Sequence, residues 1–336
     1  MAPKIFLTGA TGYIGGEALY ALNKAHPEYE YTLLVRNEER GKPVAAAYPN
    51  ARLVYGTLDD AEVIEKEAAA ADVVVHTADS ADNVPSAQAI AKGLAAGHTA
   101  ENPGYWIHLC GTGILTWYDA KHKRYGQGPL PEQRYHDIDD IERILSLPDE
   151  ALHRNVDKIV LAANESPAVK TLILGPPTIY GQGRGPVNQR SIQVPKLIEL
   201  TLNNGFAPIQ APGLTEWDNV HIRDLGEFFV LAVEAALDPS KNSNPEIFGP
   251  KGYFFVEGGV HKWSDVSKWV AEEAAKQGLI PEPATKEIDI PQLLGLNSKS
   301  VAARARKYLG WTPKAPSLKD EIPAAVAFEA KRLGKA

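Results

Sequence analysis

The run Thr8-Gly9-Ala10-Thr11-Gly12-Tyr13-Ile14-Gly15, directly after the apolar stretch Ile5-Phe6-Leu7, restricts the fold of this chain more than any other segment. Three glycines at that spacing, between a strand-like run and a helix-like one, read as strand, tight turn and helix start. Gly9 permits the turn, Gly12 lets the backbone close on a pyrophosphate, and Gly15 lets the helix lie against the strand. Thr11, Tyr13 and Ile14 complete the segment, and the open N–H groups of such a helix start attract an anion. The pattern predicts a dinucleotide site rather than an ordinary tight turn, because further β-α alternation follows and a basic residue closes the next strand.

Apolar runs of strand length alternate with helical patterns through the first half of the chain. Strands are expected near 4–8, 31–36, 52–55, 72–77, 105–110 and 169–174, with helices between them. Such alternation implies an α/β fold, a doubly wound parallel sheet of the Rossmann type with helices on both faces. Right-handed crossovers then set the ligand crevice at the carboxyl ends of the strands. The glycine turn, Arg36, Ala78 and Thr112 all fall on that edge. Beyond Gly181 the regularity weakens, and Gly183-Arg184-Gly185-Pro186 and Ala211-Pro212-Gly213 mark loops. Helices are expected again at 223–237 and 263–277.

With 336 residues the chain accommodates one large domain or two joined ones. A net charge of −7 lends no support to a nucleic-acid or anionic-membrane partner. No apolar run approaches the ~18 residues of a membrane span, and the first residues lack the pattern of a signal peptide. Cys110 is the single cysteine, which excludes an internal disulfide and suits a reducing compartment; the cytoplasm is the expected location. Nine histidines are scattered along the chain without metal-ligand spacing, so no metal is expected. His76 reads as a strand residue engaged in packing.

The TGxxGxxG spacing from Thr8 resembles the extended or atypical short-chain dehydrogenase/reductase superfamily, which includes nucleotide-sugar epimerase, dihydroflavonol reductase and NmrA-like branches. Further pieces match in order: Asp72–Ala78 resembles the family's fourth strand and His108–Thr112 its fifth. Pro176-Pro177-Thr178-Ile179-Tyr180-Gly181 resembles its RPP-x-x-YG segment, with Gly175 where arginine is usual, and Val220–Leu225 resembles its VHVxDL segment. The resemblance implies an NAD(P)-binding Rossmann domain of residues 1–181 and 216–250. It also implies a smaller, discontinuous substrate lobe of 182–215 and 251–336. Thr57 stands where relatives often carry an adenine-contacting aspartate, in the turn that also holds Leu58, while Ala78, Pro177 and Lys158 are further expected cofactor contacts.

Arg36 ends the second strand, twenty-one residues beyond Gly15. An acidic residue there would accept hydrogen bonds from the ribose 2′-hydroxyl of NAD, whereas an arginine offers a planar charged fork to the 2′-phosphate of NADP. NADP(H) is therefore expected ahead of NAD(H), with Arg40 and Lys42 adding to the field. The plainer alternative is a solvated strand-end arginine.

The family's usual proton donor is a tyrosine four residues before a lysine, on the helix after the fifth strand, and a Ser or Thr at that strand's end polarises the substrate carbonyl. Thr112 matches the latter position. The tyrosine is missing. Tyr20 and Lys24 have the spacing but lie on the first helix, away from the reaction edge. Aligning Lys158 with the family lysine puts Arg154 in place of tyrosine, and a shift of one pairs His153 with Asp157, a helical turn apart. His153 is then a candidate general acid. Tyr118 or Tyr125, from a long aromatic and basic loop over 113–136, are others, and a site with no proton transfer is the third reading. That loop either caps a planar or anionic substrate or is a solvated excursion.

These features together predict an NADP(H)-dependent oxidoreductase acting on a small-molecule carbonyl or related substrate. The alternatives are a catalytically silent NADP(H)-binding regulator similar to NmrA-like proteins, which would act on a protein partner, and a nucleotide-sugar epimerase or dehydratase. A homodimer is compatible with each.

Overall fold

Seven apolar runs pair into one parallel sheet in a computed structural model that describes residues 2–290 and 294–335. Its strands are β1 (Lys4–Thr8), β2 (Glu30–Val35), β3 (Arg52–Tyr55), β4 (Val73–His76), β5 (Gly104–Leu109), β6 (Val169–Gly175) and β7 (Tyr253–Phe255). They lie in the order β3-β2-β1-β4-β5-β6-β7, every pair parallel. The central strands are buried on both faces, which is why β4 and β5 read as unbroken apolar runs and not as alternating ones. The helix Tyr13–Ala25 packs against Ile222–Leu237, while Ala61–Ala70, Val84–Gly97 and Arg154–Ala162 pack in succession against one another. Right-handed crossovers assign these two groups to opposite faces.

The sheet edge that carries the crevice is tied together by side chains. Thr8 Oγ1 at the end of β1 accepts from the N–H of Thr77 at 3.1 Å and lies 2.8 Å from His76 Nδ1. Ser86 Oγ is 3.2 Å from the other ring nitrogen of His76. This imidazole is fully buried, and burial alone pushes its pKa down to about 3, so it is a neutral packing residue.

A second apolar core gathers Leu197, Ile198, Trp263, Val270, Ile322 and Val326. They come from three helices, Gln193–Asn204, Trp263–Lys276 and Leu318–Arg332. The expected assignment of all of 251–336 to this lobe needs correction. Tyr253–Phe255 forms the edge strand β7, and Ala302, Ala305, Leu309 and Trp311 pack in the larger core. The apolar content of those segments decides this, since each buries against the sheet rather than the smaller lobe. The lobes are joined near the glycine turn. Buried Glu17 accepts from Arg184 N at 2.8 Å and Nε at 2.9 Å, and Tyr13 Oη donates to Gly181 O at 2.6 Å.

The 113–136 segment is not a loop. Thr112–Thr116 forms a 3₁₀ turn and Trp117–His122 a short helix. Fully buried Asp119 holds the segment by accepting from Arg124 Nε at 3.0 Å, Gln133 Nε2 at 2.8 Å and Asn297 N at 2.9 Å. Lys121 reaches Glu150. The basic residues that suggested an anionic substrate are thus engaged with carboxylates at Lys121 and Arg124. No helix among the described residues is long and apolar enough to cross a membrane.

Candidate active site

Gly9 has φ +90°, a conformation that an L side chain rarely adopts, and the turn it makes brings Gly12 N to its own carbonyl at 2.8 Å. Gly12 caps the helix with an extended backbone, and Gly16 is the first residue to bond back to it, at 3.0 Å. The N–H groups of Tyr13, Ile14 and Gly15 therefore have no acceptor within the helix. They face a crevice also lined by Thr11, Arg36, Thr57, Leu58 and Ala78. A Cβ on Gly12 would meet only Gly9 O, at 3.1 Å, whereas one on Gly15 would stand 2.3 Å from that oxygen. The helix thus rests on the turn at Gly15, and the space over Gly12 is open to a ligand. Three open N–H groups, a close backbone approach and an arginine at the end of β2 fit a dinucleotide's pyrophosphate and adenosine ribose. Asn188, Arg190 and Ile192 of the smaller lobe line the opposite wall.

Tyr13, Ile14 and Ile192 also line a second chamber, continuous with the first, at the ends of β5 and β6. Its floor is Cys110, Gly111, Thr112 and Gly113, and its sides include His153, Pro176, Pro177 and Trp217. Thr112 N donates to Pro176 O at 3.0 Å and Thr112 O accepts from Ser298 Oγ at 2.7 Å, which fixes this residue at both ends. Its hydroxyl has no hydrogen-bond partner among the described residues. Tyr13 is unsuited to proton transfer, because burial raises its pKa well above the usual value and its hydroxyl is committed to Gly181.

His153 faces this chamber, but not from within a helix and not with the expected partner. The helix begins at Arg154, and His153 precedes it with φ 70° in the left-handed region. Its Nδ1 lies 2.7 Å from Asp82 Oδ1. Its Nε2 points to the end of β5: a Cβ on Gly113 would be 3.3 Å from it, and one on Gly111 3.9 Å. Asp157 instead turns inward, fully buried, accepting from Tyr253 Oη at 2.9 Å, and burial raises its pKa to about 6. The helical turn from His153 to Asp157 forms, with Asp157 N donating to His153 O at 3.1 Å, but His153 is its cap, and the left-handed backbone there sends the ring to Asp82 and not along a face shared with Asp157. Asp82 escaped the sequence reading. Its one signal was a position just after β4, on the reaction edge.

The other candidates lie elsewhere. Lys158 Nζ pairs with Asp149 on the surface and lines neither chamber. Arg154, in the family tyrosine's aligned place, is buried and donates from Nε to Leu147 O at 3.0 Å and from Nη2 to Leu145 O, a structural role. Tyr118 stacks near His122 with ring centroids 4.3 Å apart, and neither it nor Tyr125 lines the chamber. No group of three metal-ligating side chains occurs among the described residues.

Comparison with known proteins agrees with this geometry. Residues 9–103 match a family model described as NAD(P)H-binding. The chain is 36% identical to the oxidase ucsJ of Acremonium sp over 350 aligned positions, covering 99% of both. An uncharacterized protein of Schizosaccharomyces pombe is 26% identical, with 97% of this chain and 100% of that one covered. Among solved structures, the dTDP-glucose 4,6-dehydratase DesIV of Streptomyces venezuelae, with NAD and TYD bound, superposes with TM-score 0.69 at 17% identity over 98% of both chains. A UDP-glucose 4-epimerase of Thermotoga maritima with UDP-glucose gives 0.67 at 16%, over 98% of this chain and 99% of that one. These two likenesses concern the fold alone. Full-length kinship at 36% identity establishes that the chain belongs to one family with the Acremonium oxidase ucsJ, and the NAD(P)H-binding match and the seven-stranded parallel sheet give it an NAD(P)-binding Rossmann domain with the fold of the epimerase and dehydratase neighbours.

Proposed function

We propose that this protein is an NADP(H)-dependent oxidoreductase that interconverts a small-molecule carbonyl and its alcohol, with the His153–Asp82 pair moving the proton that a tyrosine usually moves in the short-chain dehydrogenase/reductase superfamily. The observation that carries the reading is the position of His153 Nε2 against the end of β5, in one chamber with Thr112 and continuous with the glycine cradle. The nicotinamide supplies the hydride. Arg36 supports the preference for NADP(H), since its guanidinium can take a 2′-phosphate in a bidentate contact.

The Thr112 hydroxyl is buried and has no partner among the described residues; a turn of its side chain toward the chamber lets it donate to the substrate oxygen and polarise the carbonyl. With Asp82 ionised, Nδ1–H of His153 donates to it, which leaves Nε2 as the working nitrogen. In the reducing direction, protonated Nε2 gives its proton to the carbonyl oxygen, while a nicotinamide held over the glycine cradle would supply the hydride to the carbon. Solvent then reprotonates the imidazole, whose side chain is 15% exposed. In the oxidising direction neutral Nε2 accepts the hydroxyl proton. The left-handed backbone at His153 is the kind of local strain that persists where a side chain must be aimed.

The test is NADPH oxidation across a varied carbonyl panel, repeated with His153→Ala and Thr112→Ala. His153→Ala should lower turnover by about 10²–10⁴-fold, and Thr112→Ala should lower it with NADPH affinity nearly intact. Unchanged turnover in His153→Ala would remove the proton-transfer assignment. One observation favours the regulator alternative, namely that the Arg154 and Lys158 side chains are spent on structural contacts. Tight NADPH binding without turnover of any panel member, together with cofactor-dependent binding of a protein partner, would establish that alternative instead.

A further inference from the structure

Among the described residues, the lining of the chamber around Thr112 and His153 holds no Lys, Arg, Asp or Glu. Its polar side chains are Thr112, His153, Ser191, Gln193 and Tyr13, whose hydroxyl is committed to Gly181 O, together with a Cys110 thiol that burial holds protonated. The rest of the wall is apolar, with Pro177, Ile179 and Trp217 prominent. Two large apolar side chains stand at the rim, Ile192 78% exposed and Leu152 52% exposed, the latter against Gly113. Cations on the flanking segments are already committed: Arg190 Nε to buried Glu329 at 2.7 Å, Arg124 Nε to Asp119 at 3.0 Å, and Lys299 Nζ to Asp218 at 2.8 Å.

A diphosphate or carboxylate entering here would lose hydration and meet no cation but His153, whose charge when protonated Asp82 already offsets, and burying such an anion is costly. Exposed apolar residues around a concave site have the opposite meaning, since they give an apolar ligand more surface to cover. Building on the oxidoreductase reading, we infer that the substrate is an uncharged, largely apolar molecule. It presents one carbonyl or alcohol oxygen to Thr112 and His153, and its body lies between Trp217, Ile192 and Leu152. Nucleotide sugars and other anions are excluded, although solved structures of the same fold hold them.

Calorimetry on the full chain saturated with NADP⁺, which blocks carbonyl reduction, tests this directly. The probes are matched pairs, such as 2-acetylnaphthalene against its sulfonate and cyclohexanone against 4-oxocyclohexanecarboxylate, with UDP-glucose added. The neutral member should bind at least tenfold more tightly in each pair, with an affinity insensitive to salt. Leu152→Lys, a change at an exposed position, should narrow that gap by strengthening the anionic member while NADP⁺ affinity holds. Anionic members or UDP-glucose binding as tightly as the neutral compounds, or no binding by any neutral compound, would overturn the inference. Neutral ligands that bind but are never reduced when NADPH is supplied would refute the oxidoreductase reading and still support the chamber's preference.

Discussion

Gly12 and Gly15 lie three residues apart in one motif, yet their alanine variants should fail in different ways. At Gly15 an added Cβ would sit 2.3 Å from Gly9 O, 2.6 Å from Gly9 C and 2.4 Å from Thr77 Oγ1. Normal contact is more than 3 Å, so the helix Tyr13–Ala25 must move about 1 Å off the turn, against backbone that cannot rotate away. Overpacking of this kind costs about 1–3 kcal/mol. An unfolding entropy of about 2.1 cal/mol/K per residue gives a Tm loss of about 1–4 °C for a chain of 336 residues. At Gly12 the only close atom is Gly9 O at 3.1 Å, and the backbone, with φ −86° and ψ 173°, suits any residue. Gly12→Ala should therefore keep the Tm of the cofactor-free protein within about 1 °C, with about tenfold or greater loss of NADPH affinity, because the methyl group occupies the pyrophosphate's place. Differential scanning calorimetry without cofactor and titration calorimetry with NADPH measure the two effects separately. If Gly12→Ala lowered Tm as much as Gly15→Ala, or bound NADPH unchanged, the division of labour between the two glycines would be wrong.

Arg36→Asp should narrow or reverse the preference for NADP(H) over NAD(H), shifting the ratio of the two Kd values about ten- to hundredfold, as loss of a charge-assisted contact implies; equal affinities in the unaltered protein would rule out the 2′-phosphate contact. Asp82→Asn keeps an acceptor for His153 Nδ1 but removes the charge that favours imidazolium. Because the Asp82 side chain is 55% exposed, turnover should fall, though by less than in His153→Ala; unchanged turnover would argue that the pair is not catalytic. Asp157 gives a stability prediction with a definite sign. Its folded pKa, about 6, lies above the unfolded value near 3.9, so its contribution to stability is lost as pH rises from about 4 through 6. Asp157→Asn should gain on the unaltered protein over that interval by on the order of 2–3 kcal/mol, read from urea melts at a series of pH values; a pH-independent difference would contradict the buried-charge account.

Much of the larger lobe can be read from the chain because its signals are local. Apolar runs at strand length, the glycine turn and the arginine after β2 each carry their own meaning within a few residues. The features that were missed depend on partners far away in sequence. Tyr253–Phe255 is too short an apolar run to announce itself, and it becomes β7 only because β6 offers an open edge. The 113–136 segment looks like a polar excursion until Asn297, far along the chain, donates to Asp119. His153 was legible as a candidate but its geometry was not. No capping Ser, Thr, Asp or Asn marks the helix start at Arg154, and the carboxylate that orients the ring lies seventy-one positions earlier. The missing tyrosine was the clearest chemical signal in the sequence, since it forced attention onto the residues that stand around its place.

The late arrival of β7 has a consequence for how the chain acquires its fold. Between β6 and β7 the polypeptide leaves the sheet, builds the helix Gln193–Asn204 of the smaller lobe and the long helix Ile222–Leu237, and only then returns. During synthesis the larger lobe thus waits with the edge of β6 unpaired until residue 255 has emerged, and an unpaired strand edge invites association with other chains. A fragment cut at Gly181 would retain every cofactor contact of the glycine turn yet lack β7, the covering helix Ile222–Leu237 and Trp311. Such a fragment should aggregate rather than persist as a small nucleotide-binding module. The two lobes are distinct in their cores but interleaved in time, and neither can be completed before the other has begun.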